Sequence, residues 1–143
     1  MSMIDRLSSV FKDVRITAKD EEQLKTLCYI GDLERVKAAQ THFILPVGVV
    51  ISKFCTIGQN CVIYQNVTIG GKDMIQNGNP KDYPQIGNNC IIYPGAFIVG
   101  PIKIGDNCVI GANTVVVSDV PANSIVGGNP AKIFAKAPVA PAQ

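Results

Sequence analysis

Residues 86–121 read IGNNCI IYPGAF IVGPIK IGDNCV IGANTV VVSDVP, six blocks of six, each opened by a branched aliphatic residue. The same beat fills residues 51–74 as ISKFCT, IGQNCV, IYQNVT and IGGKDM. The first positions are Ile51, Ile57, Ile63, Ile69, Ile86, Ile92, Ile98, Ile104, Ile110 and Val116. An aliphatic residue at every opening position is a repeat, not a matter of composition. Gly recurs at the second position (Gly58, Gly70, Gly87, Gly105, Gly111), and Asn or Gly at the fourth (Asn60, Asn66, Asn89, Gly95, Asn107, Asn113). Asn and Gly enter positive φ at the least cost, so each block carries a tight turn there.

Position five is small or aliphatic: Cys55, Cys61, Val67, Cys90, Ala96, Ile102, Cys108 and Thr114. Positions five and one lie two residues apart, so in a short strand over positions five, six and one both side chains point to one face. Strand, turn, strand, turn then winds a coil lined by these two positions. Three hexads make one triangular turn in hexapeptide solenoids, which stacks residues 18 apart at about 4.8 Å as parallel neighbours. The expected fold is all-β, a parallel β-helix. The period itself does not set the hand of the coil.

The phase decides the cysteines. Cys55, Cys61, Cys90 and Cys108 point inward, and Cys61, Cys90 and Cys108 stack in a column if the interruption after residue 70 spares the three-faced register. Short Cys pairs such as C-x₂-C, favoured by zinc, are missing. Small core hydrophobes are the expectation rather than a metal cluster or disulfides. The whole chain has 143 residues, 17% charged and 47% apolar, with net charge +2. That composition fits one folded domain and argues against disorder. It gives no basis for nucleic acid as a partner. No apolar run approaches the roughly 20 residues of a membrane span, and Asp5 and Arg6 sit where a secretion signal needs its apolar core, so the expected location is cytoplasmic.

Either side of the coil the chain changes. Residues 1–40 carry helical spacing at Ile4, Leu7, Val10, Phe11 and Val14, and again at Leu24, Leu27, Cys28, Leu33 and Val36, with Asp20 before Glu21 and Glu22 as a helix start and Gly31 as a break. A helical cap over the open first turn is expected, because bare strand edges invite aggregation. Residues 41–133 form the coil, 71–85 a protruding loop, and 134–143 a flexible tail.

The stretches YQNVTIGGK (64–72), YPQIGNN (83–89), IGDNCVIGANTVVVSDVPANSIVGGNPAKI (104–133) and LPVGVVIS (45–52) resemble the serine acetyltransferase-like branch of the hexapeptide-repeat acyltransferases, which also holds enzymes that acetylate sugars. The resemblance implies a left-handed coil, a homotrimer, and acetyl-CoA in the groove between subunits. It implies coenzyme contacts at Gly95, Gly111 and Ala112 and, near the nucleotide end, at Lys132, with no metal. Turn geometry is an equal explanation for the glycines, and a solvated charge for Lys132.

The reaction implied is attack of a hydroxyl, on a sugar or another small acceptor, on the thioester. A positioned base, commonly His, contributes about 10²–10⁴-fold to such a step. The family's base opens an H-P-x-G or H-x-x-G segment, and Leu45 stands at that place in Leu45-Pro46-Val47-Gly48. The second family histidine, before Pro-Lys-Ile, is Tyr83 here, before Pro84-Gln85-Ile86, which points away from free serine as acceptor. Leucine moves no proton. Three readings follow: another base, His42 or Asp82; a catalytically impaired trimer that binds CoA or sugar; or a His→Leu change introduced into the chain. The zinc-dependent carbonic anhydrases of this architecture need three His per metal, and one histidine cannot supply them.

Overall fold

The computed structural model describes residues 18–72 and 78–136. The helical pattern at Ile4–Val14 lies outside the described residues. In chain order the elements begin with α1 (Ala18–Leu27), β1 (Tyr29–Ile30), α2 (Leu33–Ala38), β2 (His42–Ile44), β3 (Val50–Ile51), β4 (Thr56–Ile57), β5 (Val62–Tyr64) and β6 (Thr68–Gly70). A short 3-10 turn at Pro80–Asp82 precedes β7 (Gln85–Ile86), β8 (Ile91–Ile92), β9 (Phe97–Val99), β10 (Lys103–Ile104), β11 (Val109–Ile110), β12 (Val115–Val116), β13 (Ser124–Gly127) and β14 (Lys132–Lys136).

The strands stack into three sheets, the faces of a left-handed parallel β-helix. The first face runs β1-β3-β6-β9-β12, the second β4-β7-β10, and the third β2-β5-β8-β11-β13 with β14 at its end. Ile91 pairs with Val109, and Phe97 with Val115, in parallel and 18 positions apart. Across the loop after Gly70 the offset widens, Thr68 pairing with Phe97, and no face is skipped. The insert therefore sits at the corner between the first and second faces.

All ten opening aliphatics of the hexads are buried, as are the eight residues at position five. Asn60, Asn66, Asn89, Asn107 and Asn113 have φ between +55° and +58°, the left-handed turns that the fourth position requires. The five cysteines are free thiols. Cys61, Cys90 and Cys108 form the expected column, each donating its S–H at 3.2 Å to a backbone oxygen of the neighbouring turn: Gly87, Gly105 and Pro121 respectively.

The ends depart from expectation in two places. Tyr29 and Ile30 form a strand that extends the first face below Val50 and Ile51, so the cap is part sheet rather than helix alone. α1 lays Leu24 into the core and is tied to α2 by the Lys37–Glu21 ion pair, while Asp32 caps α2 by accepting from the Arg35 amide at 3.0 Å. At the other end Phe134, Ala135 and Lys136, expected in the tail, are paired in β14. The chain reverses after Gly127 and runs antiparallel along β13, giving that last strand a partner. Among the described residues no helix is long and apolar enough to cross a membrane.

The buried thiols make stability pH-dependent. Burial pushes the Cys55 thiol from the ordinary 9.0 up to about 12. The native state thus holds this proton where the unfolded chain has lost it, and the stability it contributes is complete below about pH 9 and lost as pH rises toward 12. The urea midpoint should be flat from about pH 6 to 8 and fall by about pH 11, and Cys55→Ala should reduce that fall. An equal fall in the variant would show that other groups govern it.

Candidate active site along one corner of the coil

The corner between the third and first faces is built four times over: Leu45–Gly48, Gln65–Asn66, Pro94–Gly95 and Ala112–Asn113. Each is bonded to the next. The amides of Asn66, Gly95 and Asn113 donate at 2.9–3.1 Å to the carbonyls of Val47, Gln65 and Pro94, one turn away. Gly95 has φ +74°, and a Cβ there would collide with the Asn113 side-chain oxygen, so the corner needs glycine for geometry as well as for any ligand.

Three of the four expected coenzyme residues, Gly95, Gly111 and Ala112, lie along this corner. The fourth, Lys132, opens β14 opposite Gly127, and the Gly111 amide donates at 2.9 Å to Val126 beside it. The fold therefore gathers all four on one edge. From the C-terminal end the order is Lys132 with Gly127, then Gly111, then Tyr93 with Gly95, then Tyr64, then Ile44 with Leu45, at about 4.8 Å per step.

The first of the four corners is the unusual one. Ile44 pairs with Tyr64 at an offset of 20, and Val50 with Thr68 at an offset of 18, so this corner holds two residues more than the corner stacked on it. The extra length pushes Leu45 and Val47 outward, 67% and 52% exposed. Leu45 adopts φ +49°, a left-handed conformation that costs a branched side chain about 1–2 kcal/mol. The corner is clamped from below, its Gly48 amide donating to Leu27 at 2.9 Å and the Cys28 thiol to the Pro46 carbonyl at 3.2 Å.

His42 is not in an irregular corner, as expected, but opens β2 in register with Val62. Phe43 fills the core behind it. Alternation along the strand then puts His42 and Ile44 on the same outer surface, about 6.6 Å apart along the chain. Asp82 and Tyr83 lie at the opposite corner, between the first and second faces. Tyr83, expected in a loop, is 2% exposed and packs on Phe54 with ring centroids 5.1 Å apart, so it closes the core under the insert. Asp82 ends the 3-10 turn that Asn79 caps by accepting from the Lys81 amide. A full strand of the second face separates that corner from the start of the third face. One chain therefore does not bring Asp82 to His42.

Two residues of this edge went unnoticed. Tyr64 and Tyr93 stack with centroids 5.0 Å apart and planes 19° apart, over the outward-facing Ile44, Val62 and Ile91. The signal was present: they occupy position two, where the other hexads favour glycine. Burial, and secondarily Tyr93, raises the Tyr64 phenol, keeping it protonated. A separate open depression of about 640 Å³ runs along the second face past Thr56, Gln85, Lys103 and Asp119, and no expected site residue lines it.

The repeat signature described as Bacterial transferase hexapeptide (six repeats) matches residues 83–118. Fold and repeat together make the chain similar to the hexapeptide-repeat acyltransferases. The relatives it resembles are of the serine acetyltransferase-like branch. It is 40% identical over 94 residues to serine acetyltransferase of Mycobacterium tuberculosis, covering 66% of this chain and 40% of that one. Against the Staphylococcus aureus enzyme (strain Mu50) identity is 48% over 86 residues, 60% of this chain and 39% of the relative. The crystal structure of serine acetyltransferase from Neisseria gonorrhoeae superposes with TM-score 0.65 at 38% identity, over 71% of this chain and 38% of that one. A serine acetyltransferase in complex with CoA gives 0.57 at 33% identity, over 66% and 38%. The chain thus spans about two fifths of the length of the relatives it matches.

The strain at Leu45 is directly testable. Because its side chain is mostly in solvent, Leu45→Gly removes little packing and relieves the left-handed backbone, and should stabilise the fold by about 1 kcal/mol. For a chain of this size that is a rise in Tm of about 2–4 °C. A lower Tm would mean that the leucine side chain holds the corner.

Proposed function

We propose that the chain moves an acetyl group from acetyl-CoA to the hydroxyl of a small acceptor of the serine class. One observation carries the reading: Gly95, the Gly111-Ala112 pair and Lys132, far apart in sequence, line a single edge that starts at an exposed lysine and ends at the strained corner of Leu45. On that edge Lys132 meets phosphate at the nucleotide end, and the pantetheine arm follows the corner past Gly111, Ala112 and Gly95. The thioester then falls near Tyr64 and Leu45. The relatives are named for serine, which supports an amino-acid hydroxyl over the saccharide suggested by Tyr83. They are also named for an activity and lend no support to a protein without turnover.

His42 serves as the base. It is the chain's one histidine and lies on the same outer surface as Ile44, within a strand's reach of the thioester end. It takes the proton from the acceptor hydroxyl as the oxygen attacks, and returns it to the departing CoA sulfur. Asp82 can join this edge only from another copy of the chain, which fits a homotrimer with each site shared between neighbours.

Incubation with acetyl-CoA and L-serine should release free CoA, and His42→Ala should lower kcat by about 10²-fold or more with coenzyme affinity retained. Unchanged turnover would dismiss His42, and no release by the unsubstituted chain would dismiss the reaction. Light scattering should return three times the chain mass, and a monomer mass would end the shared site.

A further inference from the structure

Stabilising the tetrahedral intermediate needs a hydrogen-bond donor at the thioester end, and many of the backbone amides there already donate within the coil. The amides of Gly48, Asn66, Gly95 and Asn113 all donate to carbonyls of adjacent segments, to Leu27, Val47, Gln65 and Pro94. Those of Tyr93 and Gly111 donate to Ile110 and Val126. These bonds hold the coil together and cannot turn outward without unstacking it. Leu45 and Val47 offer only apolar side chains. On the outer surface of the edge the two stacked phenols offer side-chain O–H donors, and neither has a hydrogen-bond partner among the described residues, whereas the unpartnered Thr114 hydroxyl is buried inside the coil.

Tyr64 is the nearer of the two to the strained corner, since it pairs with Ile44, the residue before Leu45. Its ring is fixed on one side by Tyr93 and packs against the Ile44, Val62 and Ile91 cluster. The phenol is therefore aimed by packing rather than by its own hydrogen bonds, and needs little reorganisation to meet a charge. It also shares the outer surface of the third face with His42.

We infer that Tyr64 is a catalytic residue whose hydroxyl donates a hydrogen bond to the thioester carbonyl oxygen as it becomes an oxyanion, with Tyr93 positioning it. This rests on the acetyl-transfer reading above. In the step, the acceptor oxygen bonds to the carbonyl carbon while the C=O π pair moves onto oxygen, where the Tyr64 O–H meets it. Collapse restores the C=O bond and breaks the C–S bond, and the CoA sulfur leaves with the proton that His42 took from the acceptor. Tyr64 keeps its own proton throughout.

Tyr64→Phe removes the hydroxyl and keeps the ring stack. With acetyl-CoA and L-serine, kcat should fall by about 10²-fold, the cost of losing one such donor. KM for both substrates, CoA affinity by calorimetry, and the thermal midpoint should stay as in the parent. Tyr93→Ala should lower kcat as well, and Tyr93→Phe, which rebuilds the stack, should restore it. A kcat for Tyr64→Phe equal to the parent's overturns the phenol's role and leaves acetyl transfer standing. A loss accompanied by an equal fall in thermal midpoint also overturns it, showing a ring that only packs. Absence of turnover in the parent removes the reaction and this role together.

Discussion

The stacking of one turn on the next is the constraint from which the rest follows. Ile63, Ile92, Ile110 and Val126 lie one above another inside the coil, paired strand to strand. Parallel strands of two or three residues have little cohesion of their own; they persist because each inner strand is bonded on both edges and seals its inner face. Both conditions need every turn to repeat the same path. Left-handed asparagines at the corners supply that repetition, and a corner that strays must return to register within a few residues. The Leu45–Gly48 corner does so, being long by two and back in step at Val50.

That constraint also places the chemistry. Because the corners superpose, residues 18 positions apart become neighbours, and an edge of the coil collects side chains from every turn. Gly111 and Tyr93 touch this edge through the same hexad position, as do Tyr64 and Gly127 in their turns. Inward positions are committed to packing, so functional variation is confined to positions two to four and to outward position six. His42, Leu45, Tyr64 and Tyr93 all sit on that outer part of the repeat.

The repeat was legible because its period is imposed by burial: one misplaced aliphatic would either face water or leave a hole. The cysteine column could be read for the same reason. What the pattern could not show lies where the chain leaves it. His42 precedes the first clear hexad, so nothing in the spacing marked it as a strand residue. Tyr83 looked like part of a polar loop, yet the insert needs an aromatic plug against Phe54 where it rejoins the coil. Phe134 to Lys136 follow the Gly127-Gly128-Asn129-Pro130 reversal, and a strand that pairs backwards along its predecessor carries no hexad beat. Tyr64 and Tyr93 were visible as exceptions to glycine, but the meaning of their pairing needed the third dimension.

The insert between Gly70 and Gln85 has a further implication. Its two ends are held by the coil, Gly100 donating to Gly70 at 3.1 Å and Thr56 to Pro84 at 3.1 Å, whatever lies between. Lengthening a segment whose ends are already fixed costs only about 0.6 kcal/mol per doubling. Such a mounting point lets new recognition surfaces be acquired, or grafted by design, while the wall that carries them stays as it is.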